Sequence, residues 1–151
     1  MAVTYFYFQF SLKELTPEER AKFPGEFVKL EDGVVSYYWK GPENGNIVVL
    51  VHGLSTPKFV WDGNVDALVG AGKRVLVYDH LGRGFSDRPD IVYDGELYIR
   101  ELSNLLEALH VTQCTIFLKS TKKWADWGFP HLLSGGPMMT LSPLRTPKRF
   151  K

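Results

Sequence analysis

Cysteine is nearly absent: the 151 residues contain one, Cys114. A single thiol excludes an internal disulfide framework and any Cys-rich metal site. At the head of an apolar run it reads as a small buried hydrophobe, and a reducing, cytoplasmic setting fits that usage. Long apolar runs are missing too; none approaches the ~20 residues that cross a bilayer. The first twenty residues, MAVTYFYFQFSLKELTPEER, carry an aromatic run but no basic leader and no small-residue cleavage site, so no secretory signal is expected. Net charge is only +1, which gives no global attraction to nucleic acid or acidic membranes. His80, His110 and His131 show no metal-ligand spacing with one another or with acids. Neither a metal nor a cofactor is expected.

What is present describes an ordinary globular chain, 44% apolar and 23% charged, with the length of one domain. Its charge is unevenly placed. Residues 119–151 hold seven basic residues against one acid, Asp126, whereas residues 1–118 hold eleven basic and sixteen acidic. The same tail contains Pro130, Pro137, Pro143, Pro147 and the loop-forming run Ser134-Gly135-Gly136-Pro137. No window in it sustains helical or strand periodicity. The chain changes character near Leu118. Three stretches follow: 1–24, an extension with a short helix; 25–118, the main body; and 119–151, a basic tail expected to be poorly ordered.

The body alternates strands and helices. Thr16-Pro17-Glu18-Glu19 sets a capping threonine before an N1 proline, with glutamate at N3, which starts a short helix. Phe27–Leu30 and Val34–Trp39 flank the turn Glu31-Asp32-Gly33 and predict a hairpin. Ile47–Val51 and Arg74–Tyr78 are apolar on both faces, as strands covered from two sides must be. Between them Trp61, Val65, Leu68 and Val69 recur at helical spacing and Gly72 closes the helix. Tyr98, Leu102, Leu105, Leu106 and Leu109 form the stripe of a second helix that Asp94 can cap. Cys114–Leu118 is a further strand. The pattern predicts an α/β fold, a mostly parallel sheet with an N-terminal hairpin and helices on both faces.

Two loops at strand C-terminal ends are where ligands of such sheets bind. The first is His52-Gly53-Leu54-Ser55; the second runs Tyr78-Asp79-His80-Leu81-Gly82-Arg83-Gly84-Phe85-Ser86-Asp87. A dinucleotide reading of Gly82-Arg83-Gly84 fails for want of a third glycine and an immediate helix. In order, with Trp61 between them, the loops resemble the α/β-hydrolase family, in particular its esterase- and lipase-like members, over roughly residues 25–118. The resemblance implies serine-acyl chemistry on a small-molecule ester or lipid. It makes the Leu54 amide half of an oxyanion hole, a donor worth about 3–4 kcal/mol in a transition state. His52, Gly53, Asp79, Gly82, Gly84, Ser86 and Asp87 are implied to shape the loops, with Ser86 and Asp87 bonding local amides.

The same resemblance requires a Gly-x-Ser-x-Gly turn after the strand Cys114–Leu118. Here that slot reads Leu118-Lys119-Ser120-Thr121-Lys122. Ser120 stands in the nucleophile's position, but leucine and lysine replace both glycines that make room for the sharp turn. No late Asp/His pair of the family is found after it. Ser120, Asp126 and His131 have the residue types of a local triad, yet the Pro-broken segment offers no rigid frame to align them. A truncated and catalytically inactive hydrolase chain is therefore expected. The alternative is a non-catalytic interaction protein using the sheet edge and the basic tail, in which Trp124 and Trp127 accompany the lysines. An alternative exon or a shifted reading frame would account for the change of character at Leu118. With no family strand beyond Leu118, an open sheet edge and self-association through it are expected. No nucleic-acid partner and no transmembrane segment are expected.

Overall fold

A computed structural model describes residues 15–53, 56–118 and 138–141. Helix α1 is a single turn, Pro17–Arg20, started by the expected capping box. The Glu19 amide donates to Thr16 Oγ1 (3.2 Å) and the Thr16 amide to Glu19 Oε2 (2.9 Å), satisfying two donors that a helix start leaves open.

The hairpin follows as β1 (Glu26–Lys29) and β2 (Val34–Lys40), paired antiparallel with Phe27 opposite Ser36. Strand β3 (Ile47–Val51) leads through a 3-10 turn, Lys58–Trp61, into α2 (Asp62–Gly70). Lys73 N–H reaches back to Leu68 O beyond Gly72, which closes the helix. Strand β4 (Arg74–Tyr78), a long loop, α3 (Gly95–Ala108) and β5 (Cys114–Leu118) complete the body. Asp94 caps α3 by accepting the Leu97 amide at 2.9 Å.

The strands lie in the order β1-β2-β4-β3-β5-β6. The centre is parallel, β3 between β4 and β5, and the margins are antiparallel. Alternation along the central strands explains why they are apolar on both sides. Val48, Leu50, Val75 and Val77 face Trp61 and Val65 in one buried cluster. Val49, Val51, Leu76 and Tyr78 face Leu97, Leu105 and Leu106 of α3 in the other. Each fully buried valine or leucine contributes about 1.5–3 kcal/mol. Helices thus cover both faces.

The phase of α3 differs slightly from the expected stripe. Its buried residues are Leu97, Glu101, Leu105 and Leu106, while Leu102 and Leu109 are partly buried. Tyr98 sits at the margin, its ring edge-on to His80.

The tail contains an element that was not expected. Met138–Leu141 forms β6, antiparallel to β5 with Ile116 opposite Met139. Four residues are too few to show a period, and the strand is made by long-range pairing. The β5 edge expected to be open for self-association is therefore occupied. The large exposed apolar side chains among the described residues are Phe59, Ile91, Val92, Tyr93 and Ile99, none on β5. An interaction protein built on that edge gains no support.

Candidate active site

The two motif loops meet at the C-terminal ends of the parallel strands. Val51 is in register with Leu118, so the His52-Gly53 turn leaves the sheet beside the end of β5. The loop after β4 adjoins it on the other side.

Asp79 is the centre of that second loop. Its carboxylate is fully buried and accepts the Lys58 amide (2.8 Å), the Lys58 ammonium (2.8 Å) and the Phe85 amide (3.2 Å). The ammonium also donates to Ser36 Oγ at 2.6 Å and lies over the Phe85 ring. A buried carboxylate tolerates its desolvation only with such partners. Gly84 makes the arrangement possible. Its φ is +51°, and a Cβ there would sit 2.1 Å from the Asp79 carboxyl. At Gly82 (φ +80°) the Tyr93 ring occupies the equivalent space.

Ser86 and Asp87 reach further than local amides. Ser86 Oγ accepts the Ser36 amide (2.9 Å) and donates to Asp79 O (2.6 Å); Asp87 accepts the Val34 amide (2.7 Å) and pairs with Arg20 of α1. They staple the loop to β2, fifty residues earlier in the chain.

His52 is buried and uses both ring nitrogens. Nε2 accepts the His80 amide at 3.0 Å, which leaves Nδ1 to carry the proton and donate to Gly53 O at 2.8 Å. Burial, then the adjacent His80 ring, pulls the His52 pKa down to about 4, and the Gly53 carbonyl opposes the shift only in part. It is neutral at neutral pH. His80 in turn has Nδ1 2.7 Å from Glu101 Oε2, and Glu101 Oε1 accepts the Leu81 amide at 2.7 Å.

Of the residues singled out in the sequence, His52, Gly53, Asp79, Gly82, Gly84, Ser86 and Asp87 converge here. Leu54 and Ser120 lie outside the described residues, as do Asp126 and His131. Sequence reasoning missed Lys58, Glu101 and Ser36. Glu101 did leave a signal, an acid four residues from both Leu97 and Leu105 in an apolar stripe. Among the described residues no group of His, Cys, Asp or Glu could hold a metal ion, and no helix is long and apolar enough to cross a membrane.

A sheet with a parallel centre and helices on both faces, an HG turn after one strand and a DHLGRGFSD loop after the next make up part of an α/β-hydrolase fold, and the similarities over these residues indicate that family for this part of the chain. Its similarities are to several enzymes of this type. A haloalkane dehalogenase of Mycolicibacterium paratuberculosis is 31% identical over 94 residues, 61% of this chain and 29% of that protein. A non-heme chloroperoxidase of Streptomyces lividans is 34% identical over 84 residues, 54% of this chain and 30% of that protein. Among solved structures, the enol-lactonase from Burkholderia xenovorans LB400 superposes with a TM-score of 0.60 at 24% identity, over 69% of this chain and 38% of that one, a likeness of fold. No family model matches. The matches span about three tenths of the length of the curated relatives.

Proposed function

We propose that this chain is a carboxylic-ester hydrolase of lipase type in lineage, directed at a small-molecule ester or lipid in complete relatives, and that in its present form it does not catalyse. The observation that carries the lineage is the register of β3 against β5. It sets the His52-Gly53 turn beside Leu118, two residues before Ser120. In this reading the Leu54 amide is the oxyanion donor and Ser120 occupies the nucleophile's slot.

The residues flanking Ser120 in the sequence oppose catalysis. A nucleophile elbow passes its serine through a strained conformation with helix and strand in close approach, which glycines on either side permit. Leu118 and Lys122 bring a branched and a long side chain to those positions. The cost of misplacing a nucleophile by even an ångström is about a hundredfold in rate.

The test is hydrolysis of activated short-chain esters by the purified chain beside a Ser120→Ala control, with fluorophosphonate labelling of both. Equal background rates and no serine labelling are expected. Labelling that disappears with Ser120→Ala would show a working nucleophile and overturn the inactive reading.

A further inference from the structure

The loop after β3 is held at both ends by two consecutive residues of the loop after β4. At its start the His80 amide donates to His52 Nε2 (3.0 Å). At its end Asp79 takes both the amide and the ammonium of Lys58 (2.8 Å each). A further acid stands behind the first contact. Glu101, on α3, accepts the Leu81 amide and meets His80 Nδ1, both at 2.7 Å. All five side chains are at least nine-tenths buried.

Glu101 is an unusual choice for its place. Leu97 and Leu105, one turn to either side, are core residues, and an apolar side chain between them would avoid the desolvation of a carboxylate. The acid instead spends both oxygens on the backbone and ring of residues 80 and 81. Lys58 behaves likewise, directing a buried ammonium at Asp79 and Ser36.

The link to the turn is geometric. His52 can accept from the His80 amide at Nε2 only when Nδ1 carries its proton, and that proton points at Gly53 O. The same carbonyl accepts the Thr56 amide at 3.3 Å, so two donors fix its direction.

We propose that Glu101 and Lys58 are positioning residues which, through His80 and Asp79, clamp the two ends of the 52–58 loop and set the direction of the Gly53 carbonyl. This rests on the reading of the Gly53-Leu54 peptide as the oxyanion donor. The charged and titratable groups around His52 are His80, Asp79 and Arg83, with Glu101 behind His80.

The experiment uses the whole chain, 15N-labelled, with amide exchange and the imidazole 15N shifts of His52 as readouts. Wild type should show His52 protonated at Nδ1. In Glu101→Leu, which keeps the apolar stripe, exchange at His80 and Leu81 should quicken about tenfold relative to Val49 and Leu76, the loss of one hydrogen bond each. His52 should lose its single tautomer as well. Lys58→Met should quicken the residue 58 amide similarly while leaving the His52 tautomer unchanged. Glu101→Gln, nearly isosteric, should restore protection at Leu81 and serves if the leucine variant does not fold. Loss of protection spread evenly over the core amides, or a His52 protonated at Nε2 in wild type, overturns the clamp. Neither readout depends on ester hydrolysis, so a working Ser120 would overturn the inactive reading without touching this one.

Discussion

Acidification should remove a defined part of the stability by protonating His52. The folded environment holds its pKa at about 4 against an ordinary 6.5, chiefly through burial. As pH falls the unfolded chain takes up the proton first, so stability from the neutral ring is fully present above about 6.5 and lost as pH approaches about 4. The gap between those values corresponds to about 3 kcal/mol. A domain's net stability is about 5–15 kcal/mol, so the loss is substantial. Other acids titrate in the same range, and His52→Gln separates them from the ring. The variant lacks the titrating group but leaves every carboxylate in place. Urea unfolding of both proteins from pH 7.5 to pH 4 should show the wild-type advantage shrinking by about 3 kcal/mol, roughly 2 M in midpoint at an m-value of about 1.5 kcal/mol/M. An advantage that stays constant, or that grows as pH falls, would refute the neutral His52 and its bond to the His80 amide.

Four further outcomes are expected, three from the same loops and one from the buried thiol of β5. Gly84→Ala should cost about 3 kcal/mol or more in thermal or urea unfolding, because the Asp79 carboxyl 2.1 Å from the new Cβ is held by three donors. Gly82→Ala should cost only about 1 kcal/mol, since it meets the side chain of Tyr93, which can move aside. Lys58→Met should destabilise by about 3–5 kcal/mol by stranding a buried carboxylate, and the simultaneous change Asp79→Asn should recover part of the loss in a double-mutant cycle. The Cys114 thiol is raised by burial to about 11. It should therefore react with a thiol reagent at pH 8 only at the rate of unfolding, checked by following labelling across a urea series.

Local signals in the chain were sufficient for most of the body. The Thr16-Pro17-Glu18-Glu19 box, the Glu31-Asp32-Gly33 turn and the Asp94 cap each act within four residues, and each forms as read. Strands apolar on both faces pointed to helices on both faces, because a period of two leaves no other use for Val48 and Val49. The site was legible as loops but not as a network. Lys58 lies between Pro57 and Phe59 with nothing local to announce a buried ammonium; its partner comes 21 residues later, at the end of another strand. Ser86 and Asp87 bond amides on β2 that the sequence gives no means of choosing. Strand β6 was invisible for the same reason, since Met138–Leu141 is a strand only because β5 is beside it.

Strands β3 and β5 run parallel and in register, so that the His52-Gly53 turn and the end of β5 at Leu118 share one end of the sheet. An engineered cross-link tests this most directly. In a Cys114→Ser background, Val51→Cys with Leu118→Cys places thiols on neighbouring strands and on one face, within the reach of a disulfide. Leu50→Cys with Val77→Cys gives the same geometry between β3 and β4 as a positive control. Oxidative refolding followed by peptide mapping should find an intramolecular 51–118 disulfide as readily as the 50–77 one. A 50–77 bridge without any 51–118 bridge would contradict the register, and with it the placement of the candidate site.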